Sequence, residues 1–573
     1  MNIRTLTTLM VPSALLLGAI AAPAEAFSLT PLSTYETGKF DEGAAEIATF
    51  APGSNRLFVT NAEANTIDVL DLSDPKAISK LFEIDLSPYG AGINSVAYNS
   101  DGNSSYIAAA VESDPAQAPG SVVFFDVEGI FQNALEVGPL PDMVTFTPDG
   151  SKLLVANEGE PNDDYTVDPE GSVSIVDVSG GILGLTDADV KFATFNAFDS
   201  QKDDLIDDGV RIFGPGASVS QDLEPEYIAV SEDSKTAYVS LQENNAIAIV
   251  NLETHEVEEI VPLGFKDHSL PGNGLDASNR DDAINIENYP VLGMYQPDAI
   301  ATYTVEGKTY IVTANEGDSR DYDGFSEEDR VSDLDLDPDA FPNADELQED
   351  ENLGRLNITN TLGDTDGDGD FDKLYAYGAR SFSIWDENGN LVWDSGDQFE
   401  QILAEVLPDN FNANNDENQS FDSRSDDKGP EPEGVAVGMV GDRIYAFVGL
   451  ERVGGIMVYD VTNPDSPTFV TYTNNRNFDV EFDVDEEGDP DPTPEQLSAA
   501  LDLGPEGLLF ISAEDSPNGE SLLVVTNEVS GTTTVYSVED EDRVSVPEPA
   551  SVLGLLVAGS LGLLSRKRRP TVG

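Results

Sequence analysis

Seven pairs of side chains in this sequence have the composition and spacing of oxygen ligands for hard cations. They are Glu46/Glu63, Asn94/Glu112, Asp142/Glu158, Glu226/Glu243, Asp298/Glu316, Glu433/Glu451 and Glu506/Glu528. The partners lie 16 to 22 residues apart, and only Asn94 breaks the carboxylate rule at the first position. Each first member opens a short apolar run, as in Asp142-Met143-Val144-Thr145-Phe146. Each second member closes one, as in Leu154-Val155-Ala156-Asn157-Glu158. Thirteen acids brought together must bind cations, pair with bases or stay partly protonated. Carboxylate oxygens favour calcium or magnesium. Glu158, Glu226, Asp298, Glu316, Glu433 and Glu506 are the candidate ligands, with room for a second divalent ion or iron beside calcium. The alternative is that these acids cap strand ends and face solvent.

A second candidate cation site is Asp364-Thr365-Asp366-Gly367-Asp368-Gly369-Asp370-Phe371-Asp372. It matches the first nine positions of a calcium loop, with Asp364, Asp366, Asp368, Asp370 and Asp372 as ligands and Gly369 at the sharp turn. The twelfth position is Tyr375, so the bidentate glutamate of an EF-hand is missing. The pattern then resembles the shorter calcium loops of extracellular proteins, with a solvated acidic turn as the alternative.

The chain has 28 bases against 109 acids, a formal charge of −81. Setting aside Arg4, Arg566, Lys567, Arg568 and Arg569 with Glu25 and Glu548 leaves 23 bases and 107 acids, a net charge near −84. Such a surface repels nucleic acid and anionic membranes and attracts cations. The scarce bases fall inside motif-like segments. Arg320 follows Asn315-Glu316-Gly317-Asp318, Arg380 precedes Ser381-Phe382-Ser383-Ile384-Trp385, Arg424 and Lys428 lie just before Glu433, and Arg452 follows Glu451. An arginine fork suits phosphate or carboxylate. Arg320, Arg380 and Lys428 are therefore candidates to orient a phosphate ester beside metal ions that activate water. The competing expectation is that these bases only neutralise nearby acids.

Other chemistries lack their residues. There is no cysteine, so disulfides and thiolate sites are excluded. His255 and His268 are the only histidines, both in loop-rich sequence, and no Gly-x-Ser-x-Gly elbow or phosphate-cradling loop is present.

The elements that must position these acids read as β-strands. Leu57–Thr60, Thr66–Leu70, Ser121–Val127, Ser172–Val178, Thr236–Leu241, Ala246–Asn251, Arg443–Gly449 and Gly455–Val461 are short and rich in β-branched and aromatic residues. Turn signals such as Pro52-Gly53-Ser54-Asn55, Ser100-Asp101-Gly102 and Pro148-Asp149-Gly150 separate the members of each pair. A third strand ending in Asp-Val or similar follows most closing glutamates. Seven such repeats predict an all-β chain, a seven-bladed β-propeller with acidic loop insertions. The pairs should then converge on one mouth of the central channel. The insertions, about 317–375 and 474–500, are expected to be polar surface loops, with the fifth repeat resuming at Leu374-Tyr375-Ala376-Tyr377 and Phe382-Ser383-Ile384-Trp385-Asp386.

Three parts follow. Residues 1–26 carry Arg4, an apolar stretch and Ala24-Glu25-Ala26, the pattern of a secretory signal peptide. The propeller occupies 27–545. The segment 546–573 joins Val546-Pro547-Glu548-Pro549, an apolar run to Leu564 and Arg566-Lys567-Arg568-Arg569. This tripartite end resembles the PEP-CTERM sorting signal. That resemblance implies an exosortase-type processing protease as partner and the cell surface or extracellular matrix as destination. Membrane contact is expected only through this segment, cut or retained as an anchor.

The body resembles the choice-of-anchor I family. The likeness is carried by Ala314-Asn315-Glu316-Gly317-Asp318-Ser319-Arg320-Asp321-Tyr322, Gly378-Ala379-Arg380-Ser381-Phe382-Ser383-Ile384-Trp385, the run from Asp426 to Gly434, and Leu450-Glu451-Arg452-Val453-Gly454-Gly455. Some relatives are described as atypical alkaline phosphatases, and the Pro-Glu-Gly strand starts are similar to those of esterase-like phytase propellers. The acids, the motif-embedded bases and the two terminal segments, taken with that description of relatives, lead to the expectation of an exported, calcium-binding propeller acting as a metal-dependent phosphoesterase. The rival expectation is a non-catalytic matrix or adhesion protein that binds a surface polymer through calcium.

Overall fold

The computed structural model describes residues 27–100, 105–485 and 489–540. The expected signal peptide, the sorting segment, residues 101–104 of the second hairpin turn and residues 486–488 of the second insertion lie outside them. The chain divides into a compact unit Leu29–Glu539 and a second unit, 1–28 with 540–573. Of the second unit only residues 27, 28 and 540 are described.

The protein is an all-β propeller. Among the described residues seven four-stranded antiparallel sheets follow one another, here called sheets I to VII. Their opening strands are Ala48–Ala51, Ile93–Ser100, Pro141–Phe146, Ile228–Val230, Ile300–Val305, Pro432–Val440 and Pro505–Ile511. Each opening strand touches that of the next sheet, and Pro505–Ile511 touches Ala48–Ala51. The fourth strand of sheet VII is Phe27–Glu36, from the other end of the chain.

Local chemistry sets the strand boundaries. The acid that ends a third strand accepts backbone N–H bonds from the turn beyond. Asp71 Oδ1 accepts from Ser73 at 2.9 Å, Asp177 Oδ1 from Ser179 at 2.9 Å and Asp460 Oδ1 from Thr462 at 3.0 Å. Such side chains mimic a backbone turn, which explains the repeated Asp-Val signature.

Apolar residues from successive sheets fill the spaces between them. Leu57, Val59 and Leu70 of sheet I meet Leu522, Val524 and Val535 of sheet VII. Val173 and Ile175 of sheet III meet Val239 and Ala248 of sheet IV. Phe447 of sheet VI stacks on Phe510 of sheet VII at 5.7 Å. Each fully buried aliphatic side chain contributes about 1.5–3 kcal/mol, and no sheet completes its core alone.

The first insertion departs from expectation. Instead of a surface loop, it forms most of a five-stranded sheet: Phe265–Asp267, Val291–Met294, Leu374–Ala376, Asn357–Thr359 and Glu328–Arg330. Leu275, Tyr289, Val331, Leu353, Leu356, Ile358 and Leu374 make its own core. Its apolar residues are too sparse among the acids to show a period, and its core draws on residues before sheet V. Leu374–Ala376 therefore pairs in parallel with Val291–Gly293 rather than resuming sheet V, whose third strand is Ser381–Asp386. The second insertion contains the helix Pro494–Ala500. Thr493 caps it, and Leu497 and Ala500 pack with Leu503 and Val529. Among the described residues no helix is long and apolar enough to cross a membrane.

Candidate cation site at the channel mouth

Antiparallel register brings each pair together. Pro141 lies opposite Asn157, Pro432 opposite Leu450 and Pro505 opposite Asn527, so Asp142, Glu433 and Glu506 stand beside Glu158, Glu451 and Glu528. In these three sheets the ladder slips just after the proline, and in sheet II it slips at Asn94. The first member of these pairs thus sits in a β-bulge, which re-aims a side chain out of the alternating pattern. The Pro-Glu-Gly glycines answer a packing demand. A Cβ at Gly434 would overlap the carbonyl oxygen of Glu506, and one at Gly507 that of Glu46. Only glycine lets neighbouring opening strands approach this closely.

The result is a cavity of about 430 Å³ lined by Asn94, Asp142, Asp298, Glu316, Glu433, Glu451, Glu506 and Glu528. Asp318, Gln242, Lys428 and Arg452 complete the polar wall. One carboxylate oxygen from each of Asp298, Glu316 and Glu433 lies within 4.8 Å of the others, and the same holds for Glu316, Glu431 and Glu451. Oxygens on opposite sides of a calcium ion, each at 2.3–2.6 Å, stand about 5 Å apart, so either set is compact enough. Glu433 Oε2 and Glu506 Oε2 are buried without a hydrogen-bond partner among the described residues. So are Glu226 Oε2 and Glu243 Oε2, on residues more than nine-tenths buried.

These carboxyls resist ionisation. Burial, then Glu160, pushes Asp142 up to about 7. Burial, then Glu528 and Asp142, pushes Glu46 up to about 8. Burial followed by neighbouring acids holds Glu158, Glu226, Asp298, Glu433 and Glu506 well above the usual carboxylate range. Like charges in a poorly solvated site cannot all ionise without a cation.

The bases take defined places. Lys428 Nζ donates to Glu316 Oε1 at 2.6 Å and lies 3.3 Å from Glu431 Oε2. Arg452 Nε donates to Glu431 Oε2 at 2.9 Å, and Arg424 reaches Glu431 Oε1 at 2.7 Å. Burial alone would raise the Glu431 carboxyl, but Lys428, Arg424 and Arg452 hold it well below the usual range. Sequence reasoning missed Glu431 as a centre of this network. The signal was the doubled acid in Pro430-Glu431-Pro432-Glu433.

Arg320 and Arg380 do not line the cavity. Arg320 is 1% exposed and pairs with Asp222 at 2.8 Å and Glu224 at 2.7 Å. Its guanidinium lies over Phe213, which Arg211 also covers, and Arg211 pairs with Glu327. The two pairs cross between the first insertion and the segment leading to sheet IV, and so steady the chain that carries Glu226. Arg380 binds Glu400 at 2.8 Å and the carbonyls of Ser425 at 2.8 Å and Asp427 at 2.6 Å. It clamps the loop that presents Lys428. Of the three bases expected to orient an anion, the structure brings Lys428 alone to the mouth. Glu158 and Glu226 stand beside the cavity rather than on its wall, whereas Asp298, Glu316, Glu433 and Glu506 line it.

The Asp364–Asp372 segment is an exposed turn on the first insertion. Asp364, Asp366 and Asp372 bring one oxygen each within 4.8 Å, and Asp337, Asp370 and Asp372 form a second such set. Asp337 was not visible as a partner in sequence. A bridge between Leu336 and Phe371 brings it in. Asp368 accepts from the Asp370 N–H at 3.3 Å.

Comparison with known proteins bears on both body and tail. The choice-of-anchor I domain model matches residues 46–464, and the PEP-CTERM protein-sorting motif matches residues 545–569. Gigasin-3a of Magallana gigas is 31% identical over 210 residues, 35% of this chain and 70% of that protein. A mesenchyme-specific cell surface glycoprotein of Strongylocentrotus purpuratus is 30% identical over 261 residues, 39% of this chain and a third (33%) of that protein's length. Among solved structures, Kuenenia stuttgartiensis hydrazine synthase aligns with a TM-score of 0.44 at 12% identity, covering 87% of this chain and 98% of that one. The Swd1 β-propeller domain of Myceliophteria thermophila aligns at 0.41 and 9% identity, covering 89% and 100%.

Proposed function

The chain belongs to the choice-of-anchor I domain family and carries a PEP-CTERM motif that implies export, surface sorting and exosortase-type processing; from that premise we propose that it is a seven-bladed propeller whose channel mouth binds calcium at the cell surface. The observation that carries this reading is the set Asp298, Glu316 and Glu433, with Glu433 Oε2 and Glu506 Oε2 buried and partnerless beside it. The succession of sheets, with each opening strand in contact with the next and Pro505–Ile511 in contact with Ala48–Ala51, supports the blade number. The Asp364–Asp372 turn is a second, peripheral calcium site in this reading.

Phosphate-ester hydrolysis is the chemistry proposed for the mouth. A bound ion there supplies Lewis acidity and an activated water. Lys428 and Arg452 are the cationic donors on the same wall. Metal content of dialysed protein, measured beside release of phosphate from a generic monoester between neutral and alkaline pH, tests both parts. Retained calcium without turnover removes the catalytic part for ordinary monoesters. Absence of calcium that depends on Glu316 and Glu433 removes the whole reading.

A second reading, a non-catalytic matrix or adhesion protein, is favoured by the burial of Arg320 and Arg380 in internal pairs, which leaves few donors for an anion. The relative named as a cell surface glycoprotein agrees with it. Calcium-dependent binding to surface polysaccharide, with no turnover, is its expected signature.

A further inference from the structure

We infer that Lys428 is a built-in counter-cation that occupies the mouth until a divalent ion displaces it, and so sets the affinity of that site. The inference rests on the reading of the mouth as a cation site and adds the residue that controls it.

Glu316 is the carboxylate shared by both three-acid sets. Neither of its oxygens is free. Oε1 accepts from Lys428 at 2.6 Å and Oε2 from Gln242 at 2.9 Å. An ammonium is a compact point charge on a flexible stem and can satisfy only the oxygens it touches. Here it reaches Glu316 and Glu431, while Glu433 Oε2 and Glu506 Oε2 stay unpartnered. Arg452, on the same wall, is already held by Glu431 and Glu451, so the charge on Glu316 is met by Lys428, which leaves the neighbouring acids short of full neutralisation. A divalent ion held by Asp298, Glu316 and Glu433 brings two charges and reaches the acids that Lys428 cannot.

The ammonium has somewhere to go. Glu431 lies 3.3 Å away and Asp318 and Glu451 share the same wall. The loop that carries Lys428 stays in place because Arg380 holds its backbone at Ser425 and Asp427. The exchange is therefore a side-chain movement on a fixed backbone. It also places a released ammonium beside the ion, where an anionic ligand of the ion would meet it.

Calcium titration calorimetry on the mature chain tests this, in an Asp366→Asn, Asp372→Asn background that removes the peripheral turn. Lys428→Gln is expected to tighten calcium binding at the mouth tenfold or more, while Lys428→Arg stays within a few-fold of the parent. Equal or weaker binding in Lys428→Gln overturns the inference and leaves the mouth as a cation site. No calcium binding in the parent or in Lys428→Gln overturns both. If Lys428→Gln does not fold, acetic anhydride labelling of unmodified protein decides. Saturating calcium should raise Lys428 acetylation several-fold, and an unchanged rate overturns the inference.

Discussion

Chelation should make this protein less stable as pH rises. The mouth carboxyls are the reason. Asp142 has an ordinary value of 3.8 and is pushed up to about 7 by burial and by Glu160. That interval of about three pH units corresponds to about 4 kcal/mol for the one group, at about 1.4 kcal/mol per unit. Because the folded value is the higher one, the folded state binds more protons between about pH 4 and pH 7. Stability is then fully present below about pH 4, falls through that window and levels off once the folded carboxyl has ionised. Glu46, pushed up to about 8, extends the window upward. The groups are coupled, so their effects do not simply add, but 4 kcal/mol is already a large part of a typical 5–15 kcal/mol. Calcium should flatten the profile, since an ion bound only by the folded state adds about 2.7 kcal/mol at a hundred times its dissociation constant. Urea unfolding of the mature chain from pH 4.5 to 8.5, with EDTA or with excess calcium, measures it. The expected result is a falling curve with EDTA, a flat one with calcium, and the widest gap near pH 8. Glu433→Gln should shrink the fall with EDTA. A flat profile with EDTA would refute the placement of these acids in a poorly solvated cluster.

Arg320→Ala should cost about 3–5 kcal/mol in urea unfolding, because it leaves Asp222 and Glu224 buried without their partner; a loss below about 1 kcal/mol contradicts the buried clasp. Gly434→Ala should destabilise by about 1–3 kcal/mol or more, since the added methyl meets the Glu506 carbonyl of the next strand, whereas Gly180→Ala, with open space around it, should be near neutral. Asp366→Asn with Asp372→Asn should lower bound calcium by one ion per chain without changing mouth occupancy, as counted by elemental analysis after dialysis. Removing 27–36 should expose the third strand of sheet VII, Thr532–Asp540, as a free edge, so size-exclusion chromatography should show self-association; a monomer of unchanged stability opposes closure by that strand.

The local features of the fold are legible in the chain. Alternating apolar runs, Asx turns at Asp71, Asp177 and Asp460, and the Pro-Glu-Gly starts each act over a few residues, so spacing alone exposes them. The pairing of the acids is legible too, because an antiparallel hairpin must place the start of one strand beside the end of the next, whereas which of them line the cavity is not: Glu63 instead meets Lys39. The first insertion was not. Its core joins Leu275 and Tyr289 to Val331, Ile358 and Leu374 across about a hundred residues, and no local period records such a contact. Asp337 joins the calcium turn for the same kind of reason, through a bridge that sequence distance hides.

The bases mark the limit most clearly. Composition shows that they are rare and where they fall, and a rare arginine beside an acid motif suggests an anion. Whether its fork faces a cavity or a buried carboxylate depends on which segments pack against it. Arg320 found Asp222 and Glu224, Arg380 found Glu400 and three carbonyls, those of Asp276, Ser425 and Asp427, and Lys428 reached the mouth. The sequence by itself determined the strands, the turns and the placing of the acids at strand ends, because those follow from short-range geometry and side-chain chemistry. Only the tertiary structure decided which charges are spent within the protein and which still face a ligand, because pairing and desolvation are properties of packed neighbours.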